Sequence, residues 1–149
     1  MKVRNVSRSC SFALVFAPLN NVVSYSKRLL FVDDEDSIRA MLPLILQGHG
    51  FDVKTAASVP EALQEIQSSK FDVLLSDLNI GEPGDGYEVI RAVRQANPGC
   101  VAIILTAYPY VEGAVESIRH EIDDYFAKPA DIDALIATLQ KRLAARLPY

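Results

Sequence analysis

From Arg28 onward the chain alternates short apolar runs with segments whose apolar residues recur at helical spacing. The runs at 28–32, 52–56, 71–77, 101–106 and 124–127 predict strands, short and apolar as strands buried on both faces are. Helical patterns lie between and after them. Ile38, Met41, Leu42 and Ile45 predict a helix over 36–47 ending near Gly48, with Pro43 bending it by removing one donor. Ser58-x-x-Glu61 is a capping box with Pro60 in the first turn, and Val59, Leu63 and Ile66 follow on one face. Tyr87, Ile90 and Val93 mark a third helix, and Val111, Val115 and Ile118 a fourth. Asp131 caps the last, whose stripe is Ile132, Leu135, Ile136, Leu139 and Leu143.

Five strand–helix units in series predict an α/β fold. Right-handed crossovers then require a doubly wound, five-stranded parallel sheet with helices on both faces. The flavodoxin-like (βα)5 strand order 2-1-3-4-5 fits, with its switch point between the first and third strands.

Those two strands carry the acids. Leu29-Leu30-Phe31-Val32 ends in Asp33-Asp34-Glu35-Asp36, and Val73-Leu74-Leu75-Ser76 ends in Asp77. Two carboxylates ~4 Å apart repel by roughly 4 kcal/mol at an effective dielectric near 20, so three that converge call for a cation. All-oxygen ligands favour Mg²⁺, Mn²⁺ or Ca²⁺. The fourth run ends in Thr106-Ala107 and the fifth is followed by Lys128-Pro129. A hydroxyl and an ammonium facing a metal-bound carboxylate suit a phosphoryl group, with the ionised carboxylate as nucleophile. Glu35 and Asp36 are expected to serve as solvated first-turn helix acids.

With Asp-Asp after strand one, a lone Asp after strand three, Thr-Ala after strand four and Lys-Pro after strand five, the chain resembles the response-regulator receiver family over about 28–147. The resemblance implies that Asp77 accepts a phosphoryl group from the phosphohistidine of a sensor histidine kinase or phosphotransfer protein. It implies Mg²⁺ held by Asp33, Asp34, Asp77 and the backbone carbonyl of Asn79, with Thr106 and Lys128 on the phosphoryl oxygens. Tyr125 would be the aromatic switch, signalling through the surface of the fourth helix, fifth strand and last helix to a downstream protein. A cis Lys128–Pro129 bond is expected, aiming Lys128 at Asp77. The loop after Asp77 departs from the family. The common pattern has Met-Pro three and four residues on and Asp-Gly at seven and eight. Here it reads Leu78-Asn79-Ile80-Gly81-Glu82-Pro83-Gly84-Asp85-Gly86, with Asp-Gly one residue later, which implies a reshaped loop.

Two other function classes share parts of this pattern. A haloacid-dehalogenase-like aspartyl phosphatase wants an acid two residues after its nucleophile and a late acidic pair; this chain has Asn79 and an early pair. A pseudo-receiver that binds partners without phosphorylation would not need the acceptor, metal and Lys positions that stand here.

On these motifs a signalling module rather than an enzyme is expected. At 149 residues with a net charge of -4, one domain can bury its own core and offers no basic footprint for nucleic acid. No run approaches the ~18 apolar residues of a membrane span, and a cytoplasmic module is expected. Two cysteines make no disulfide framework, and Cys100 is expected to be a buried free thiol. Residues 1–26 are set apart as a poorly ordered leader: Lys2, Arg4 and Arg8 precede an apolar stretch at 12–17 that is short and stopped by Pro18. The receiver unit then spans 27–149, standing alone and acting through a partner.

Overall fold

The computed structural model describes residues 26–107 and 122–146. The expected leader, apart from Ser26, and the helical pattern of Val111, Val115 and Ile118 lie outside the described residues. The elements are β1 (Lys27–Val32), α1 (Asp36–Gly48), β2 (Phe51–Ala56), α2 (Val59–Ser68), β3 (Val73–Asp77), α3 (Gly86–Ala96), β4 (Val101–Thr106), β5 (Asp124–Ala127) and α4 (Ile132–Ala144). All strand pairs are parallel, in the order β2-β1-β3-β4-β5.

β3 and β4 are buried at every position, which is why their sequences lack polar alternation. Successive side chains enter opposite cores. Leu30, Leu74 and Ile104 pack with Ala62 and Ile66 of α2 and Ile90 and Val93 of α3. Leu29, Leu75 and Ile103 pack with Leu42 and Leu46 of α1 and Leu135 and Leu139 of α4. The register sets Val32 beside Ser76, Asp77 beside Leu105 and Thr106 beside Ala127. The residues at the ends of β1, β3, β4 and β5 therefore share one edge of the sheet.

Local chemistry sets the boundaries. Asp131 Oδ1 accepts from the Ala134 N–H at 3.1 Å and caps α4 as expected. Ser58 Oγ accepts from Glu61 N at 3.3 Å, but Glu61 reaches back to Ala57 N, one residue earlier than the usual capping box. β3 starts at Val73 rather than at 71, although Asp72 already bonds both neighbours through its backbone, its N–H donating to the Arg28 carbonyl at 2.8 Å and its carbonyl accepting from Val101 N at 2.9 Å. Asp72 Oδ2 accepts from Arg28 N at 2.9 Å, and the Phe71 carbonyl accepts from Asn97 Nδ2 at 2.8 Å. Pro43 lies buried within α1, and the Lys128–Pro129 peptide is cis, as expected.

At the edge where the strands begin, Asp123 gathers three donors. Arg94 Nη2 and the Ala102 N–H donate to Oδ2 at 2.8 Å each, and Arg146 Nη2 donates to Oδ1. No helix among the described residues is long and apolar enough to cross a membrane.

Candidate functional site

The strand-end edge holds Asp33, Asp34 and Asp77, each offering a carboxylate oxygen within 4.8 Å of the others. Asp33 is delivered by β1 and fully buried. Its Oδ1 accepts from Glu35 N at 2.9 Å, and its Oδ2 accepts from Lys128 Nζ at 2.5 Å. Asp34 is exposed, and its Oδ2 accepts from Gly81 N at 3.1 Å, which joins the first acidic loop to the loop after β3. Asp77 closes β3 and is nearly buried; Oδ1 accepts from Asn79 N at 3.2 Å and Oδ2 from Lys128 Nζ at 3.0 Å.

Lys128 is thus shared between two carboxylates, whereas the sequence aimed it at Asp77 alone. Its backbone N–H donates to the Thr106 carbonyl at 2.7 Å, so the end of β4 sets its position. Burial disfavours the ammonium, but hydrogen bonds and charge from Asp33 and Asp77 outweigh this and raise its pKa. Burial raises the pKa of Asp77, with Lys128 and the Asn79 N–H pulling the other way. One ammonium against three carboxylates leaves the cluster negative. That charge and the all-oxygen donor set fit a hard divalent cation.

Thr106 is fully buried at the end of β4, one residue beyond Leu105, the cross-strand neighbour of Asp77. Tyr125 lies two residues before the end of β5 and is half-buried against the core under α2 and α3. Glu35 and Asp36 are exposed at the start of α1, as expected; the Glu35 carboxylate accepts from Ser37 Oγ at 2.8 Å, and Asp36 pairs with Arg39. Asn79 directs its side chain away from this chemistry, its Oδ1 accepting from Gly84 N at 3.0 Å.

Two supporting residues were not singled out from the sequence. Arg39 Nη1 donates to the Asp33 carbonyl at 2.9 Å and pins the turn between the two acids. Gly86 donates to the Leu78 carbonyl, and a Cβ there would lie 2.3 Å from the Asp77 carbonyl oxygen. The sequence signal for the second was the Asp-Gly pair itself, read only as turn chemistry. In the loop after Asp77, Gly81 and Gly84 take φ of 87° and 83°, a region that favours glycine.

Comparison with known proteins agrees with this geometry. The family model of the response regulator receiver domain matches residues 29–140. The transcriptional regulatory protein ZraR of Escherichia coli (strain K12) is 39% identical over 116 residues, covering 78% of this chain and 26% of that protein. The chain thus spans about a quarter of the length of the curated relatives it matches. A CheY-like receiver domain protein from Methanospirillum hungatei JF-1 superposes with a TM-score of 0.75 at 28% identity, over 80% of this chain and 95% of that one. A response regulator from Burkholderia pseudomallei, solved with a phosphorylated aspartic acid, calcium ion and citrate, gives 0.72 at 28% identity over 80% and 69%. Strand order, acidic edge and family match together place this chain in the response regulator receiver domain family of two-component signalling.

Proposed function

We propose that Asp77 accepts a phosphoryl group, in a Mg²⁺-dependent reaction, from the phosphohistidine of a sensor histidine kinase or phosphotransfer protein in the cytoplasm. The observation that carries this reading is the meeting of Asp33, Asp34, Asp77 and Lys128 at one sheet edge. The similar Burkholderia protein, solved with a phosphorylated aspartic acid and a calcium ion, supports it.

In the transfer, an Asp77 carboxylate oxygen attacks phosphorus. The P–N bond of the donor breaks, its electron pair returns to the imidazole nitrogen, and an acyl phosphate remains on Asp77. Lys128 then exchanges part of its contact with Asp77 for a phosphoryl oxygen while keeping Asp33, and the Thr106 hydroxyl donates to another oxygen. Asp33, Asp34, Asp77 and the Asn79 carbonyl would hold Mg²⁺, which supplies positive charge against the incoming phosphoryl oxygens. Output follows when Thr106 shifts and Tyr125 turns inward, altering the surface around β5 and α4 for a downstream protein to read.

The test is to incubate the protein with Mg²⁺ and acetyl phosphate and map the base-labile phosphate by mass spectrometry. One phosphate on Asp77, absent from Asp77→Asn, is the expected result. Incorporation at wild-type level in that variant overturns the assignment.

A further inference from the structure

The sheet has two outer strands, β2 and β5, and β2 is the longer at six residues against four. Peptide groups along a strand turn alternately to its two sides. The Asp33 N–H donates to the Ala56 carbonyl at 3.1 Å, so Ala56, and with it Lys54 and Asp52, turn their peptides inward to β1. Phe51, Val53 and Thr55 therefore turn theirs outward, where no further strand follows among the described residues. Such a row of donors and acceptors is a template for another strand, which protected edges deny with prolines, bulges or repelling charges. β2 has no proline and pairs with β1 in unbroken register. Its exposed charges, Asp52 and Lys54, are of opposite sign.

We propose that β2 is the docking surface for β2 of a second copy of this chain, running antiparallel about a two-fold axis through Val53. Self-pairing about that residue sets Val53 opposite Val53 and Phe51 opposite Thr55. The outward-turned residues then all meet outward-turned residues. Each such pair exchanges two hydrogen bonds, roughly six in all. Asp52 of either copy stands opposite Lys54 of the other, at the positions between, where facing side chains come closest. Both residues lie on the sheet face of Arg28, whose Nε is 3.7 Å from Asp52 Oδ2. One strand thus supplies both members of two crossed charge pairs.

Charge also selects the register. Self-pairing about Asp52 would set its carboxylate against its own copy, and self-pairing about Lys54 would do the same with the ammonium. Either shift also leaves one fewer outward pair within the strand. β5 offers no such match: pairing about the middle of Asp124-Tyr125-Phe126-Ala127 sets Asp124 opposite Ala127.

The two-fold closes the assembly at two copies. Because the paired strands run in opposite directions, the acidic edges point away from each other, and neither is covered. This inference does not depend on phosphorylation of Asp77.

The test is sedimentation of the whole chain over a range of concentrations. Asp52→Lys sets lysine against lysine across the axis, and Lys54→Asp sets acid against acid. Each variant alone is expected to dimerise at least about tenfold more weakly than wild type. Mixed in equal amounts, the two restore opposite charges at both crossings, and the mixed dimer should form about as tightly as wild type. Amide exchange followed by NMR gives a second readout. Association should slow Phe51, Val53 and Thr55 and leave Asp52 and Lys54, whose peptides already face β1, unchanged. A wild-type chain that stays monomeric into the millimolar range overturns the proposal. So does a dimer that both reversals leave intact, which puts the interface elsewhere, or a mixture that associates no more tightly than its components.

Discussion

Lys128 Nζ sits closer to Asp33 Oδ2, at 2.5 Å, than to Asp77 Oδ2, at 3.0 Å. The lysine is thus first the counter-charge of a fully buried acid and only second a partner of the proposed acceptor. Removing it strands that acid. Lys128→Ala is expected to lower the stability of the Mg²⁺-free protein by about 3–5 kcal/mol, the usual cost of orphaning a buried charge. Urea denaturation measures this, and a loss below ~1 kcal/mol would mean that water takes over the lysine's role.

Asp77 should behave in the opposite sense. Its pKa in the folded protein is raised above the ordinary 3.8, chiefly by burial. Its contribution is therefore fully present below pH 3.8 and declines as pH rises through the folded value, where ionisation costs the folded state more than the unfolded one. Asp77→Asn cannot ionise. Without Mg²⁺ it should melt higher than wild type at pH 7, by about 4 °C if the relief is ~1 kcal/mol. The gap should close toward pH 3.5. Melting curves across that range that show no widening with pH would refute the sign.

Gly86 and Gly48 form a matched pair. A Cβ at Gly86 would meet the Asp77 carbonyl oxygen at 2.3 Å and the Leu78 Cα at 2.9 Å, both backbone, whereas nothing lies within 4 Å of a Cβ at Gly48. Gly86→Ala is expected to cost about 1–3 kcal/mol through forced backbone movement and to slow phosphorylation of Asp77. Gly48→Ala, at the end of α1, should be neutral or stabilising by up to ~1 kcal/mol. Equal effects in chemical denaturation would contradict the packing argument.

Asp34 and Glu35 are adjacent and both exposed, yet only Asp34 belongs to the carboxylate cluster. Asp34→Ala should weaken Mg²⁺ binding about tenfold or more, while Glu35→Ala should change it little. Calorimetric titration distinguishes the two. Matching losses would indicate a diffuse charge effect of the whole acidic run.

Burial pushes the Cys100 thiol up from 9.0 to about 12. Its contribution to stability is full below pH 9 and is lost as pH rises toward 12, where the unfolded chain ionises first. Below that range the folded thiol stays protonated and unreactive. At pH 8.5, iodoacetamide should label Cys100 only as fast as the protein unfolds, which peptide mapping can follow. Rapid labelling in the native protein would show that the thiol is reachable.

The ends of the strands were legible because an apolar run that stops at an acid needs no tertiary information to be noticed. Asp33 and Asp77 came from that signal, Thr106 and Lys128 from the polar residues that end the fourth and fifth runs, and a parallel register then aligned them. Arg39 was not legible, since its side chain closes on a backbone carbonyl six residues earlier, a contact fixed by the path of the turn. Gly86 was hidden for a related reason: the need for glycine comes from the strand behind it, not from its own φ. The start of β3 was set at 71 because Phe71 continues the apolar run; its carbonyl is instead taken by the Asn97 side chain, and Asp72 stands at the boundary with its backbone already bonded to Arg28 and Val101.

The carboxylate of Asp123 has a mechanical consequence. It ties α3 through Arg94, β4 through Ala102 and the C-terminal end of α4 through Arg146, all at the edge remote from the acids. β4 and β5 are then anchored at their roots, while Thr106 and Lys128 stand at the opposite ends. A displacement begun at the tips cannot be absorbed by sliding the strands lengthwise, so it must emerge sideways as a tilt of whatever rests on them. Slow exchange of the Ala102 amide, unchanged by beryllofluoride, would be the mark of such a fixed root; faster exchange there would mean that the clamp yields.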